Sequence, residues 1–312
     1  MSKRRLFFLI KLTVAALLIG LLARKVDWVR VGGELRTISW PLLFLYVVLQ
    51  LLGVLISAKK WQIIAAFKGL RFDVKEGFFA YLSGAFINNF FPSTIGGDAY
   101  RGLWLARKTE AKAASISTVV FDRFIGLWVT AILALVFLSL FFFEHPAWEV
   151  PLRVAFSLLV LFLLVDGILT WAYHKPWLRR YIEWLPFPLR RLFDEVSHYM
   201  ETRIWTKSSL YAVLFAFVGV GLTNLTLFVS LGGCTINPLA FFSVIFLATI
   251  ISSVPLSINN IGIKEWAYFT FFPIAGISGD TAVTVAILAR FLQMLISFGA
   301  LPHYLRQKGG KK

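Results

Sequence analysis

The sequence predicts an all-α, polytopic transmembrane bundle in which two re-entrant, broken-helix hairpins are related as a weak inverted repeat. Three observations point there. Of 312 residues, 58% are hydrophobic and only 15% charged, against roughly 25% charged in a soluble domain. Charge-free stretches such as Trp40 to Ala58 and Phe124 to Phe143 reach the ~20 residues a helix needs to cross hydrocarbon. Finally, two apolar stretches are interrupted at matching places. One break is Asn88-Asn89-Phe90-Phe91-Pro92-Ser93-Thr94-Ile95-Gly96-Gly97-Asp98, and the other is Ser252-Ser253-Val254-Pro255-Leu256-Ser257-Ile258-Asn259-Asn260-Ile261-Gly262. Such breaks free backbone N–H and C=O groups, which is tolerated at bilayer depth only where protein or a wet cavity satisfies them. Corresponding breaks in two halves point to a transporter's substrate site.

In chain order, Met-Ser-Lys-Arg-Arg followed by Leu6 to Ala23 reads as a first span rather than a signal peptide, because its apolar run is long and no small-residue cleavage site follows. Further spans or part-spans are Trp40 to Ala58, Gly77 to Ile95, Ala113 to Phe143, Leu152 to Tyr173, Ser209 to Leu231, Pro238 to Leu256, Glu265 to Phe272 and Thr281 to Leu301. From Ser208 to Ile263 no Asp, Glu, Lys or Arg occurs, so that stretch must fold back within the membrane. The whole reads as one transmembrane domain, residues 1–312. Its first half covers about 40–143, its second about 209–305, and a basic, amphipathic interfacial connector, 174–208, joins them.

Lys and Arg in short loops favour the cytoplasm. Basic clusters at Lys3 to Arg5, Lys59 to Lys75, Arg101 to Lys112, 175–207 and the C-terminus therefore read as inside, with both termini cytoplasmic. Loops 144–151, 232–237 and 273–280 lack Lys and Arg and read as outside. Loop 24–39 should then lie outside despite Arg24, Lys25, Arg30 and Arg36. With these assignments Gly77 to Lys108 enters from and returns to the inside, and Pro238 to Phe272 does the opposite.

The formal charge of +16 sits between apolar spans, so anionic lipid headgroups are the expected partner and nucleic acid is not. Cys234 is the sole cysteine, which excludes an intramolecular disulfide and a cysteine metal cluster. No metal or cofactor is expected, and no Gly-x-x-x-x-Gly-Lys-Ser/Thr loop for ATP occurs.

Charges inside apolar spans cost about 2.5–3.5 kcal/mol each on insertion scales, so Asp122, Arg123, Asp166, Lys264, Glu265 and Arg290 need a reason. Asp122 and Arg290 can pair between the halves, or Arg123 or Arg290 can hold a lipid phosphate bidentately. Helix N-termini offer a second source of anion affinity. Ser257, Asn259, Asn260 and Gly262 precede the helix beginning near Lys264. Ser93, Thr94, Gly96 and Gly97 precede Asp98 to Arg107, with Asp98 suited to cap it and Arg101 one turn further in. The candidate substrate-binding residues are therefore Asn88, Asn89, Pro92, Ser93, Gly96, Gly97, Asp98, Arg101, Asp122 and Arg123 in the first half. In the second they are Pro255, Ser257, Asn259, Asn260, Gly262, Lys264, Glu265 and Arg290.

The chain resembles the membrane region of lysylphosphatidylglycerol synthases and related stand-alone flippase-like proteins. The resemblance rests on Asn89 to Arg101, on Asp122-Arg123-Phe124-Ile125-Gly126-Leu127, and on Pro255 to Glu265, and Lys264 stands where the family often has Arg. It implies an inner-membrane protein that moves an anionic, aminoacylated or lipid-linked substrate between leaflets. It does not imply aminoacylation, because the synthases carry that reaction in a soluble C-terminal domain, whereas this chain ends soon after its last span. Two other functions fit the sequence: a membrane-embedded lipid transferase or hydrolase, for which Asp98 with Asp122 could form a carboxylate pair, and an accessory scaffold of a lipid-modifying complex. A homo-oligomer or a lipid-modifying enzyme is a further expected partner.

Overall fold

The computed structural model describes residues 3–90, 95–144, 199, 202–231, 236–253 and 257–302, together with scattered helical positions between 153 and 164. Pro92, Ser93, Pro255, Asp166, Cys234, most of the 152–173 span and most of the 174–208 connector lie outside the described residues. Every element among the described residues is helical.

Helix α1 (Lys3–Lys25) leads directly into α2 (Trp28–Arg36). The Asp27 side chain caps α2, accepting from Val29 N at 3.0 Å and Arg30 N at 3.2 Å. The loop expected at 24–39 is thus largely a short helix. Asp27 N donates to Asp280 Oδ1 at 3.1 Å and Thr281 Oγ1 donates to Glu34 Oε1 at 2.6 Å, so 24–39 lies at the same end of the bundle as 273–280.

Helix α3 (Trp40–Phe67) is 28 residues long, about 42 Å at 1.5 Å per residue. It passes the expected end at Ala58 because Lys59 and Lys60 do not break a helix. Gly69, in the left-handed region at φ 72°, turns the chain instead, with Gly69 N and Leu70 N donating to Ala66 O and Ala65 O. One face of α3 exposes Phe44, Leu45, Val48, Leu52 and Leu55, and the opposite face buries Tyr46, Gly53, Ser57, Lys60, Trp61 and Ile64. An apolar stripe left open along a long helix is the surface a bilayer covers.

Helices α4 (Val74–Phe90) and α5 (Ile95–Thr109) form an antiparallel hairpin. Lys108 Nζ donates to Glu76 Oε1 at 2.6 Å across its open end, and Gly97 N donates to Asn88 Oδ1 at 2.6 Å across its tip. The arms touch at Gly84 and Gly97, where a Cβ on Gly97 would collide with Gly84 O. Next comes α6 (Lys112–Glu144).

A long second-half helix follows as α7 (Thr202–Phe215), a π-helical stretch (Ala216–Leu222) and α8 (Thr223–Ser230). Helix α9 (Pro238–Ser253), a 3-10 turn (Ile258–Asn260) and α10 (Ile263–Phe271) then make a second hairpin. Asn260 Nδ2 donates to Ser252 O at its tip, and the Phe241 and Phe272 rings pack at 5.9 Å near its open end. A 3-10 turn (Phe272–Ala275) leads to α11 (Gly279–Phe298).

Two hydrogen bonds orient the hairpins against α3. Ser39 N donates to Ser230 O at 3.0 Å, placing the start of α3 beside the chain that enters hairpin two. Gln62 Nε2 donates to Phe72 O at 2.8 Å, placing the far end of α3 beside the entry to hairpin one. The hairpins therefore open at opposite ends of α3.

Helix α9 lies at the centre. Ala240, Phe241 and every residue from Ser243 to Ala248 are buried, as expected of a helix that is apolar all round. Phe241 and Phe246 join Tyr46, Phe228 and Phe272 in the main core. At 16 residues, about 24 Å, α9 is short for a span. Four other helices among the described residues are long and apolar enough to cross a membrane: Trp40–Phe67, Lys112–Phe141, Ile204–Ser230 and Gly279–Phe298.

Small residues also let α3 approach the π-helical stretch closely, where a Cβ on Gly53 would stand 2.8 Å from Gly219 Cα. Gly53→Leu is therefore expected to destabilise the protein by about 1–3 kcal/mol through overpacking. Gly20→Leu, at a position with no atom within 4 Å of the added Cβ, should stay within about 0.5 kcal/mol of wild type. Thermal unfolding of the detergent-purified variants distinguishes the two.

Candidate functional site

Two polar centres lie along the hairpins. The first is an ion cluster between hairpin one, α3 and α6. Asp122 and Arg101 are each 3% exposed. Arg101 Nη1 stands 3.0 Å from Asp122 Oδ2 and Lys60 Nζ 3.1 Å from Asp122 Oδ1, while Lys60 also donates to the Asp122 main-chain O at 3.0 Å. The Tyr81 hydroxyl donates to Asp122 Oδ2. Arg101 Nη2 reaches Asp98 Oδ1 at 2.8 Å, and Arg123 Nε reaches Asp98 Oδ2 at 2.7 Å. The Arg101 guanidinium lies 3.9 Å from the Tyr81 ring centre and 5.1 Å from that of Trp61. Three cations thus share two carboxylates.

This cluster corrects several expectations. Asp122 does not pair with Arg290, because Lys60 and Arg101 are packed against it and Arg290 is held elsewhere. Asp98 does not cap α5; it sits inside the first turn, and its two oxygens face arginines. Arg123 engages Asp98 through Nε, and its side chain is 58% exposed. Lys60, Tyr81 and Trp61 were not singled out from the sequence. Lys60 had a usable signal: residues 61–67 continue the helix beyond Lys59-Lys60 without a Gly or Pro.

The second centre is a cavity of about 250 Å³ where the two hairpin tips meet α11. Ala85, Asn88 and Asn89 line it from hairpin one, and Ser252, Asn259, Asn260 and Lys264 from hairpin two. Helix α11 adds Arg290, Gln293 and Met294. Asn89 Nδ2 donates to Ser297 Oγ at 2.8 Å, tying the first tip to α11.

The backbone of the second tip is unusual. Asn259 (φ 47°), Asn260 (φ 55°) and Gly262 (φ 88°) all occupy the left-handed region, which Asn and Gly tolerate best. Arg290 holds the turn in place: Nη1 donates to Asn259 O at 3.0 Å and Nη2 to Asn260 O at 3.2 Å, while Nε donates to Glu265 Oε1 at 3.0 Å. Glu265 Oε2 accepts from Gly262 N at 2.8 Å. Lys264 differs. It packs over the Tyr268 ring at 5.3 Å and forms no ion pair with any carboxylate among the described residues.

Of the sequence-derived candidates, the cavity gathers Asn88, Asn89, Asn259, Asn260, Lys264 and Arg290. Gly96, Gly97, Asp98, Arg101, Asp122 and Arg123 lie off it, on the first hairpin and α6. Ser257 bonds Ile261 O at 2.8 Å, and with Gly262 and Glu265 it braces the turn from behind. Among the described residues of the breaks, two N–H groups are already taken, Gly97 N by Asn88 and Gly262 N by Glu265. Ser252, Gln293, Met294 and Ala85 were missed, and Gln293 reads from sequence as an ordinary packing amide.

The family described as the lysylphosphatidylglycerol synthase TM region matches residues 8–300, which takes in both the ion cluster and the cavity. The chain belongs to this family. Among curated relatives, a UPF0104 membrane protein of Methanothermobacter thermautotrophicus is 25% identical over 287 residues, covering 83% of this chain and 84% of the relative. A UPF0104 membrane protein of Methanocaldococcus jannaschii is 23% identical over 235 residues, covering 72% of this chain and 95% of its own length. A second from that organism is 37% identical over 78 residues, about a quarter of each chain. The protein is accordingly a polytopic membrane protein of the synthase TM-region family.

In this family member, Asp122→Ala would strand Lys60 in a buried site and leave Arg101 with Asp98 as its one carboxylate. The expected cost is about 3–5 kcal/mol, larger than that of Lys60→Met, which leaves Asp122 paired with Arg101 and Tyr81. Comparing the melting temperatures of the two purified variants tests the order.

Proposed function

We propose that the protein is a lipid transporter, a flippase that moves an anionic or lipid-linked substrate between leaflets of the cell membrane. Its hairpins are re-entrant, and its two halves form an inverted repeat that alternates access to one shared site. The observation that carries this reading is the convergence of two helix breaks, from hairpins opening at opposite ends of α3, on a single polar cavity bearing an unpaired lysine.

The two halves also repeat one device. In each, a carboxylate in the first turn of the hairpin's second arm pairs with an arginine on the next long helix. Asp98 and Arg123 are 25 residues apart, as are Glu265 and Arg290. This equal spacing supports the repeat better than the distances from the prolines, 31 residues from Pro92 to Arg123 and 35 from Pro255 to Arg290. The family's name, which ties its membrane region to a phospholipid-modifying synthase, supports a lipid as cargo. Transport is favoured over group transfer because Asp98 and Asp122, the carboxylates a transferase would use, are neutralised by Lys60, Arg101 and Arg123 and lie off the cavity. Membrane lipids are the partners in this reading, and the basic end of the bundle, with both termini, faces the cytoplasm.

Purified protein in vesicles is expected to speed the loss of inner-leaflet fluorescent phospholipid to an external quencher at least tenfold over empty vesicles. No acceleration with any anionic or lipid-linked probe would overturn the transport reading. For the re-entrant arrangement, Lys75→Cys and Lys112→Cys, placed in a Cys234→Ser background, should both react with an impermeant thiol reagent from the same side of the membrane. Labelling from opposite sides would rule it out.

A further inference from the structure

Resting on the transport reading, the cavity can be asked which headgroup it takes, and its charge count gives an answer. Arg290 is already spent: its guanidinium is engaged by Glu265 and by two main-chain carbonyls. Glu265 in turn uses both oxygens, on Arg290 and on Gly262 N, and does not line the cavity. Lys264 therefore leaves one uncompensated positive charge, and an unpaired cation among apolar helices is costly until an anion joins it.

Among the described residues the remaining polar wall consists of amides and one hydroxyl, with no carboxylate. A bound ammonium group would find no counter-charge there, whereas amides suit hydroxyl groups, donating and accepting in turn. At about 250 Å³ the cavity falls below the ~300–1,000 Å³ of drug-sized pockets, so it holds a headgroup without its chains.

An outlet for the chains lies alongside. Ala85 and Gln293 are exposed at the rim. One turn beyond, Phe86, Phe90 and Phe298 form an aromatic group, with Phe86 5.1 Å from Phe90 and 5.2 Å from Phe298. Phe90 is 67% exposed and Phe298 41%. Thus the seam between α4 and α11 is polar within and apolar outside.

We propose that this cavity selects a phosphodiester lipid that carries a single negative charge and a hydroxylated headgroup, seating the phosphate on Lys264 and the hydroxyls on the amides, with the acyl or alkyl chains leaving past Phe86, Phe90 and Phe298. Amine-bearing headgroups, zwitterionic or cationic, are disfavoured. The same chemistry occurs in a free glycerophosphodiester, and the aromatic seam is what favours the lipid.

The test is binding to the intact purified protein in neutral detergent, read by native mass spectrometry with four probes: phosphatidylglycerol, phosphatidylethanolamine, lysylphosphatidylglycerol and water-soluble glycerophosphoglycerol. Phosphatidylglycerol should bind at least tenfold tighter than each of the others. Lys264→Gln should weaken it about tenfold and erase its advantage over phosphatidylethanolamine. Lys264→Glu should reverse the preference toward the lysyl lipid. Arg71→Gln, on the basic surface away from the cavity, should change nothing, and unchanged melting temperatures exclude misfolding.

Equal binding of the amine-bearing lipids, or a Lys264→Gln variant that still discriminates, overturns the proposal. Equal binding of the soluble phosphodiester overturns its lipid part. The transport reading fails separately: selective binding without movement in vesicles sinks transport and leaves the specificity standing, and movement without selectivity does the reverse.

Discussion

The constraint on which this architecture depends is that a helix broken among apolar neighbours must recover every backbone hydrogen bond it gives up. Among the described residues of the tips, the chain meets it in part with its own side chains. Asn88 takes Gly97 N in the first tip. Asn260 takes Ser252 O, Glu265 takes Gly262 N, and Arg290 takes two carbonyls in the second. Asn89 and Arg290 tie the two tips to α11, where they share a wall. Three left-handed residues in the second tip mark where the chain accepts strain to do so.

Buried charge follows the same logic on a larger scale. Each half carries an acid and an arginine joined between the hairpin's second arm and the next helix, which locks the arm to the bundle. The first half elaborates this lock with Lys60, Arg101 and Tyr81 around Asp122, and the second leaves Lys264 beside it without a carboxylate mate among the described residues. Like locks with unlike surroundings would give the two halves of the proposed transporter different duties: one braces, and the other receives.

Much of the fold was legible because an apolar run is itself the helix signal. Trp40, Pro238 and the region around Lys112 start helices where composition says they should, and Glu265 to Phe272 differs little from Ile263–Phe271. Composition reports depth but not direction around the helix axis. It therefore shows that Asp122, Arg290 and Lys264 need partners without naming them, and the expected Asp122–Arg290 pair was wrong for that reason. Helix α2 was hidden because its charges resemble a loop, although Asp27 is a cap residue in plain view. Lys60 was hidden because lysine in an apolar run commonly marks the end of a span, whereas here the helix runs on to Phe67. The breaks themselves were easy to see. Opposite entry of the two hairpins was legible in the loop charges, but that Asn88, Asn89, Asn259 and Asn260 would line one cavity depends on how both tips pack against α11, which no local pattern encodes.

The lone ammonium of Lys264 also has an electrical consequence. Carrying one elementary charge across a membrane is worth about 2.3 kcal/mol per 100 mV. A carrier of the proposed kind, with a monoanion seated on Lys264, presents a neutral site, and the membrane potential has no grip on it. Emptied, the same site is positive. Voltage would then act on the return of the vacant carrier rather than on the loaded passage, setting the pace of the cycle from the leg that moves no cargo.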